Sequence, residues 1–67
     1  MEYWQERLLD EHAQLCDRLM RLSALIVGES PGFAALDEED KRLLRHQRMI
    51  MLDYSEVLQD RINRLKL

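Results

Sequence analysis

Two tyrosines, a tryptophan and two arginines of this chain, Tyr3, Trp4, Tyr54, Arg7 and Arg61, are of the types that hold a planar, phosphorylated ligand. Aromatic faces stack on nucleobases, and arginine forks take phosphate oxygens in pairs. Gln47, Tyr54 and Arg61 also follow one another in seven-residue steps, about 10.5 Å apart along a helix axis. They lie three residues from an unbroken apolar row, Leu44, Met51, Leu58 and Leu65, on the neighbouring face. The candidate ligand-binding set is therefore Tyr3, Arg7, Gln47, Tyr54, Ser55 and Arg61. Tyrosine would stack on a base, arginine would take phosphate, and Gln47 and Ser55 would read polar edges of base or ribose. A plainer reading competes with this one. A polar border beside a packed stripe is also what long side chains make when they snorkel from an interface edge. On that reading Tyr3 and Trp4 cap the core, while Arg7 and Arg61 pair with Glu11, Glu6 or Asp60.

Other clusters carry less. Arg42, Arg45 and Arg48, with Lys41 and His46, form a compact basic patch that a phosphate could occupy. Glu38, Glu39 and the acids of the N-terminal half can neutralise it equally well. His12 and Cys16 are four apart and share a helix face, but zinc needs three or four protein ligands and no further pair is spaced to supply them. His12 instead occupies a seam position, where a buried polar residue fixes register. Met1, Met20, Met49 and Met51 read as gap-fillers. There is no Ser–His–acid set, no glycine-rich phosphate loop and no carboxylate pair in a plausible cleft, so neither an enzyme nor a cofactor is expected.

The elements that must position these residues are two long helices. Leu8, Leu15 and Leu22 repeat at seven, with His12, Leu19 and Ile26 four residues after each, which predicts a helix over 2–27. Leu9, Ala13, Cys16, Met20 and Leu25 widen its apolar stripe beyond a two-stranded seam. The stretch "VGESPGFAALDEED" then breaks the helix. Gly28 suits a left-handed position just past the helix end, and Pro31 prevents continuation. In the connector, 28–37, Phe33 and Leu36 are expected to fold back onto the end of the hairpin. Asp37 is a good N-cap, with Glu38, Glu39 and Asp40 in the first turn of a second helix over 38–65. Leu43, Ile50, Val57 and Ile62 join Leu44, Met51, Leu58 and Leu65 in its stripe. An antiparallel hairpin brings Tyr3, Arg7 and Glu11 level with Arg61, Leu58 and Tyr54.

The expected fold class is all-α: one domain, 1–67, forming an antiparallel two-helix hairpin that assembles into a homo-oligomeric helical bundle. Apolar residues make up 46% and charged residues 34% of the chain, the balance of long amphipathic helices. A hairpin this short covers one face of each helix, so the remaining apolar positions call for further copies of the chain. Residues 1–40 carry ten acidic and three basic side chains, and residues 41–67 carry seven basic and three acidic. That contrast suits an acidic helix paired with a basic one, or a basic half that holds an anion. With a net charge of −3 and no continuous basic stripe, bulk nucleic acid is not an expected partner. No apolar run approaches the ~18 residues of a membrane span, and no signal peptide opens the chain. The single cysteine excludes an internal disulfide and fits a reducing cytoplasm.

"YWQERLLDEHAQLCDRLMRLSALI" followed by "FAALDEEDKRLLRHQRMIMLDYSEVLQDRI" resembles a family of very small tailed-phage proteins named after a protein of a crAss-like phage. The shared skeleton is Tyr3, Gln5–Glu6–Arg7, Leu15, Leu19, Leu22, Phe33, Leu36 and Leu44, then the run Gln47, Met51, Tyr54, Ser55, Leu58, Arg61 and Ile62. The chain departs from the family at "DEHAQL", where the usual member is more acidic and lysine-rich. The resemblance implies an accessory protein made in the cytoplasm of an infected bacterium. By analogy with other tiny helical phage proteins, it implies a counter-defence factor that sequesters a host immune nucleotide without cleaving it. The alternative is a helical-hairpin module that binds a host or phage protein.

Overall fold

The computed structural model describes residues 2–28 and 30–65, so Met1 lies outside the described residues. Two long helices, α1 (Tyr3–Val27) and α3 (Glu38–Asn63), flank a one-turn helix, α2 (Pro31–Ala34), inside the connector. Each start has a local cause. The Glu2 backbone N–H donates to Gln5 Oε1 at 2.9 Å at the start of α1. Ser30 Oγ accepts from the Phe33 N–H at 3.2 Å, and Pro31 takes the first helical position of α2, where its missing N–H costs nothing. Asp37 Oδ1 accepts from the Asp40 N–H at 2.8 Å, with three acids in the first turn of α3 on the favourable end of its dipole.

The end of α1 differs from expectation. Gly28 has φ −74° and ψ −2°, right-handed rather than left-handed, because helical hydrogen bonding runs on through it: its N–H still donates to the Ala24 carbonyl at 3.0 Å. What requires glycine here is close approach, since a Cβ would fall 2.6 Å from that same carbonyl oxygen.

α1 and α3 run antiparallel along a thin seam. Leu58 of α3, only 1% exposed, is enclosed with Leu8 and Leu15 of α1, and Met51, Ile62 and Leu65 pack against them. Phe33 is buried at the connector end, with Leu36 half-buried nearby in sequence. Among the described residues two polar contacts cross the seam and fix its register. Arg48 Nε donates to Ser23 Oγ at 2.7 Å, and the Tyr54 hydroxyl donates to the Glu11 carboxylate.

The seam is too thin to use all the apolar residues. The stripe read as one surface on the second helix divides in two: Leu44, Met51, Leu58 and Ile62 turn inward, whereas Leu43, Ile50 and Val57 are 48%, 55% and 55% exposed. Neighbours in sequence are about 100° apart around a helix, so one partner helix cannot cover both rows. Met20 and Met49 are exposed and fill no gap within the chain; among the described methionines only Met51 packs on the core. The radius of gyration is 14.9 Å, against about 11 Å for a compact chain of this length. The charge contrast between the halves is not spent across the seam either. Among the described residues every ion pair is within one helix: Asp17–Arg21, Glu38–Lys41 and Glu39–Arg42. No helix among the described residues is long and apolar enough to cross a membrane.

Leu58→Ala removes the most enclosed side chain and costs about 2–5 kcal/mol. A domain of this length holds roughly 3–10 kcal/mol in all, so urea unfolding will show most of the cooperative transition lost. Gly28→Ala gains a little from a stiffer unfolded chain, but the 2.6 Å approach to backbone outweighs it, and the melting temperature falls. The Arg42 guanidinium hydrogen-bonds Glu39 and holds its carboxyl below the ordinary glutamate range. A depressed folded-state value stabilises above the ordinary range and is lost as pH falls through the depressed one. Arg42→Ala therefore moves the Glu39 titration upward in an NMR pH series, with melting at neutral pH little changed because both groups are exposed.

Candidate functional site

The antiparallel seam sets the start of α1 beside the end of α3, and there the two helices form an open cleft of about 280 Å³ lined by Trp4, Leu8, Arg61, Arg64 and Leu65. Trp4 and Leu8 are one turn apart on α1; Arg61 is in the last turn of α3, and Arg64 and Leu65 follow as its C-cap and the next residue, held by N–H bonds to the Arg61 and Ile62 carbonyls at 3.2 and 2.9 Å. The α1 spacing puts Trp4 and Leu8 on one helix face, and the turn that ends α3 brings Arg64 and Leu65 beside Arg61. Leu8 is buried and Leu65 half-buried, so the floor is apolar, while the Trp4 indole is 54% exposed and the arginines line the walls. Among the described residues no carboxylate forms an ion pair with Arg61 or Arg64. An aromatic plate beside two guanidiniums over an apolar floor is suited to a flat ring that carries an anion.

The six residues singled out by type and spacing are distributed over several surroundings. Arg61 lies in the terminal cleft. Tyr3, 72% exposed, lies beneath the Arg7 guanidinium at 5.7 Å from ring centroid to Cζ. Neither Tyr3 nor Trp4 caps the core, and Arg7 and Arg61 form no ion pair with Glu6, Glu11 or Asp60 among the described residues. Arg7 also borders a shallow groove of about 340 Å³ along α1 with Asp10, Glu11 and Gln14, whose two carboxylates disfavour an anion. The Tyr54 hydroxyl is engaged by Glu11, and the half-buried Ser55 hydroxyl donates to the Leu52 carbonyl at 2.7 Å. Gln47 Nε2 approaches Met51 Sδ at 3.9 Å, roughly 21 Å along α3 from Arg61. Gln47, Tyr54 and Arg61 nonetheless remain the polar margin of the exposed Leu43, Ile50 and Val57 row.

Of the five lining residues only Arg61 belongs to that set; Trp4 and Arg64 are the aromatic and charged ones outside it. The signal was present: Trp4–Leu8 and Arg61–Arg64–Leu65 are one-turn spacings that meet once the helices are antiparallel.

The basic patch of α3 is not one site. Arg42 is taken by Glu39 at 2.6 and 3.1 Å, Arg48 reaches Ser23, and Arg45 lies over the Phe33 ring at 5.4 Å. Lys41, 5.9 Å from the same ring centroid and 3.4 Å from Glu38, completes a concavity of about 300 Å³ with Phe33, Ala34 and Arg45. Cys16 Sγ and His12 Nε2 are 3.6 Å apart and half-buried, and no group of three or more metal-binding side chains occurs among the described residues.

Comparison with curated proteins and with solved structures returns no match. A family model described as Sequestin matches residues 2–64, which takes in both long helices and every residue of the terminal cleft except Leu65. The chain belongs to the Sequestin family.

Proposed function

We propose that this protein is a phage counter-defence factor, made in the cytoplasm of an infected bacterium, that binds and sequesters a host immune nucleotide without cleaving it. The signal would be a cyclic oligonucleotide or a cyclic ADP-ribose type of molecule, held at pockets between protomers of a homo-oligomer. The family name speaks of sequestration, and the resemblance to small phage proteins supplies the setting. The observation that carries the reading is the uncovered row Leu43, Ile50 and Val57 with Gln47, Tyr54 and Arg61 at its margin. A second protomer laid on that row buries the apolar side chains and turns the polar margin into a pocket wall. A chain this small lacks walls of its own, and a junction of protomers provides them. Tyr54 or Tyr3 would stack on a base, Arg7 and Arg61 would take phosphate, and Gln47 and Ser55 would read polar edges. Because the helices are rigid, little ordering would oppose binding.

A second reading, a hairpin that caps a host or phage protein, draws on the exposed Met20 and Val27 of α1 as well as the α3 row. Light scattering with a thermal-shift screen against cyclic di- and trinucleotides and ADP-ribose derivatives separates the two. The sequestration reading expects a closed homo-oligomer, dispersed by Ile50→Asp. It also expects about 2.7 kcal/mol of ligand stabilisation at 100 times Kd, with ligand recovered intact after denaturation. Tyr54→Ala or Arg61→Ala should abolish that stabilisation and leave assembly unchanged. A monomer with no nucleotide shift would favour the protein-binding module.

A further inference from the structure

We propose that the terminal cleft is a nucleotide subsite complete within one protomer, in which the Trp4 indole stacks on a base and Arg61 and Arg64 take the attached phosphate. This rests on the nucleotide reading above and adds to it a location, two new residues and a ligand unit.

Three observations lead to the cleft rather than to another concavity. Its cations are uncommitted: no described carboxylate pairs with Arg61 or Arg64, whereas the groove along α1 is lined by Asp10 and Glu11, and Lys41 of the connector concavity faces Glu38. Its aromatic plate is also free. Trp4 makes no hydrogen bond among the described residues and is half exposed, while Phe33 at the other end is buried beneath two cations. A partly exposed indole is a sequence-tolerant platform for any base, since every base has a π-face. Lastly, the chemistry is ordered across the cleft. Trp4 comes from α1 and the arginines from the last turn and C-cap of α3, with Leu8 and Leu65 between them as floor, so a ring against the indole projects its substituent toward the guanidiniums. At about 280 Å³ the cleft lies just under the usual range for small-molecule pockets. It therefore takes a single base–phosphate unit, either a mononucleotide or one unit of a larger nucleotide.

Trp4 is the one tryptophan of the chain, so its fluorescence reports on the cleft without a label. The full-length protein is titrated with adenosine 5′-monophosphate, adenosine and inorganic phosphate, exciting at the red edge of indole absorption. Saturable quenching by the nucleotide is expected, with adenosine and phosphate each at least tenfold weaker. Arg64→Gln should weaken the nucleotide about tenfold and leave adenosine unaffected. Trp4→Phe, read by thermal shift, should retain binding that Trp4→Ala loses, with circular dichroism checking the fold of each variant. If a nucleotide stabilises the protein but neither Trp4 emission nor Arg64→Gln responds, the cleft is overturned and the sequestration reading stands. If no nucleotide stabilises or quenches, both fall together.

Discussion

Enclosure of Leu58 by Leu8 and Leu15 is the contact on which the rest of this molecule depends. Two helices in contact share only a strip of surface, and that strip runs through these three leucines to Met51, Ile62 and Leu65. Arg48 to Ser23 and Tyr54 to Glu11 then hold the strip in one register. The register decides everything at the termini: it sets Trp4 and Leu8 against Arg61, Arg64 and Leu65. A shift of one helical turn along the seam would separate the indole from the guanidiniums by about 5.4 Å and dissolve the cleft.

The same economy of contact explains what is left over. The two apolar rows of α3 are too far apart around the helix for α1 to reach both, so the Leu43, Ile50 and Val57 row stays uncovered. The described residues expose 5283 Å², above the roughly 4500 Å² expected for a folded chain of this mass. Such a surface is the physical ground for expecting assembly.

The helical hairpin was legible in the sequence because its signals are local and repeat: heptad leucines, the break at Gly28 and Pro31, and the Asp37 cap with three acids behind it; the one-turn helix Pro31–Ala34 inside the connector was not. What pattern alone could not give was the division of the α3 stripe. Leu43 and Leu44 look alike in sequence, and only the register of the partner helix decides which turns inward. The handedness at Gly28 was hidden in the sequence for a related reason. A glycine after a helix suits the left-handed cap, but it suits close backbone approach equally well, and the Ala24 carbonyl decided between them. Tyr3, Arg7, Tyr54 and Arg61 were correctly levelled near one end, yet side-chain direction around each helix sent them to different surfaces. Charge was the least legible property. An acidic half and a basic half suggested ion pairs across the seam, whereas pairing partners three and four residues away were closer and won.

That local pairing bears on what the terminal cleft can do at a distance. The N-terminus of α1 and the C-terminus of α3 lie side by side, so the partial positive charge of one helix end offsets the partial negative charge of the other. Glu2, Glu6 and Asp60 stand near Arg7, Arg61 and Arg64 in sequence and reduce the net field there. Long-range steering of an anion would therefore be weak, and recognition would rest on contact: the face of the indole, the apolar floor, and guanidinium forks within hydrogen-bond reach. Contact of that kind would select a molecule that carries ring and phosphate together, because neither polyphosphate charge nor an aromatic ring alone would engage all three walls. The proposed selectivity of the cleft would then follow from the same constraint as the fold, a short seam that fixes a few side chains and leaves their outer faces free.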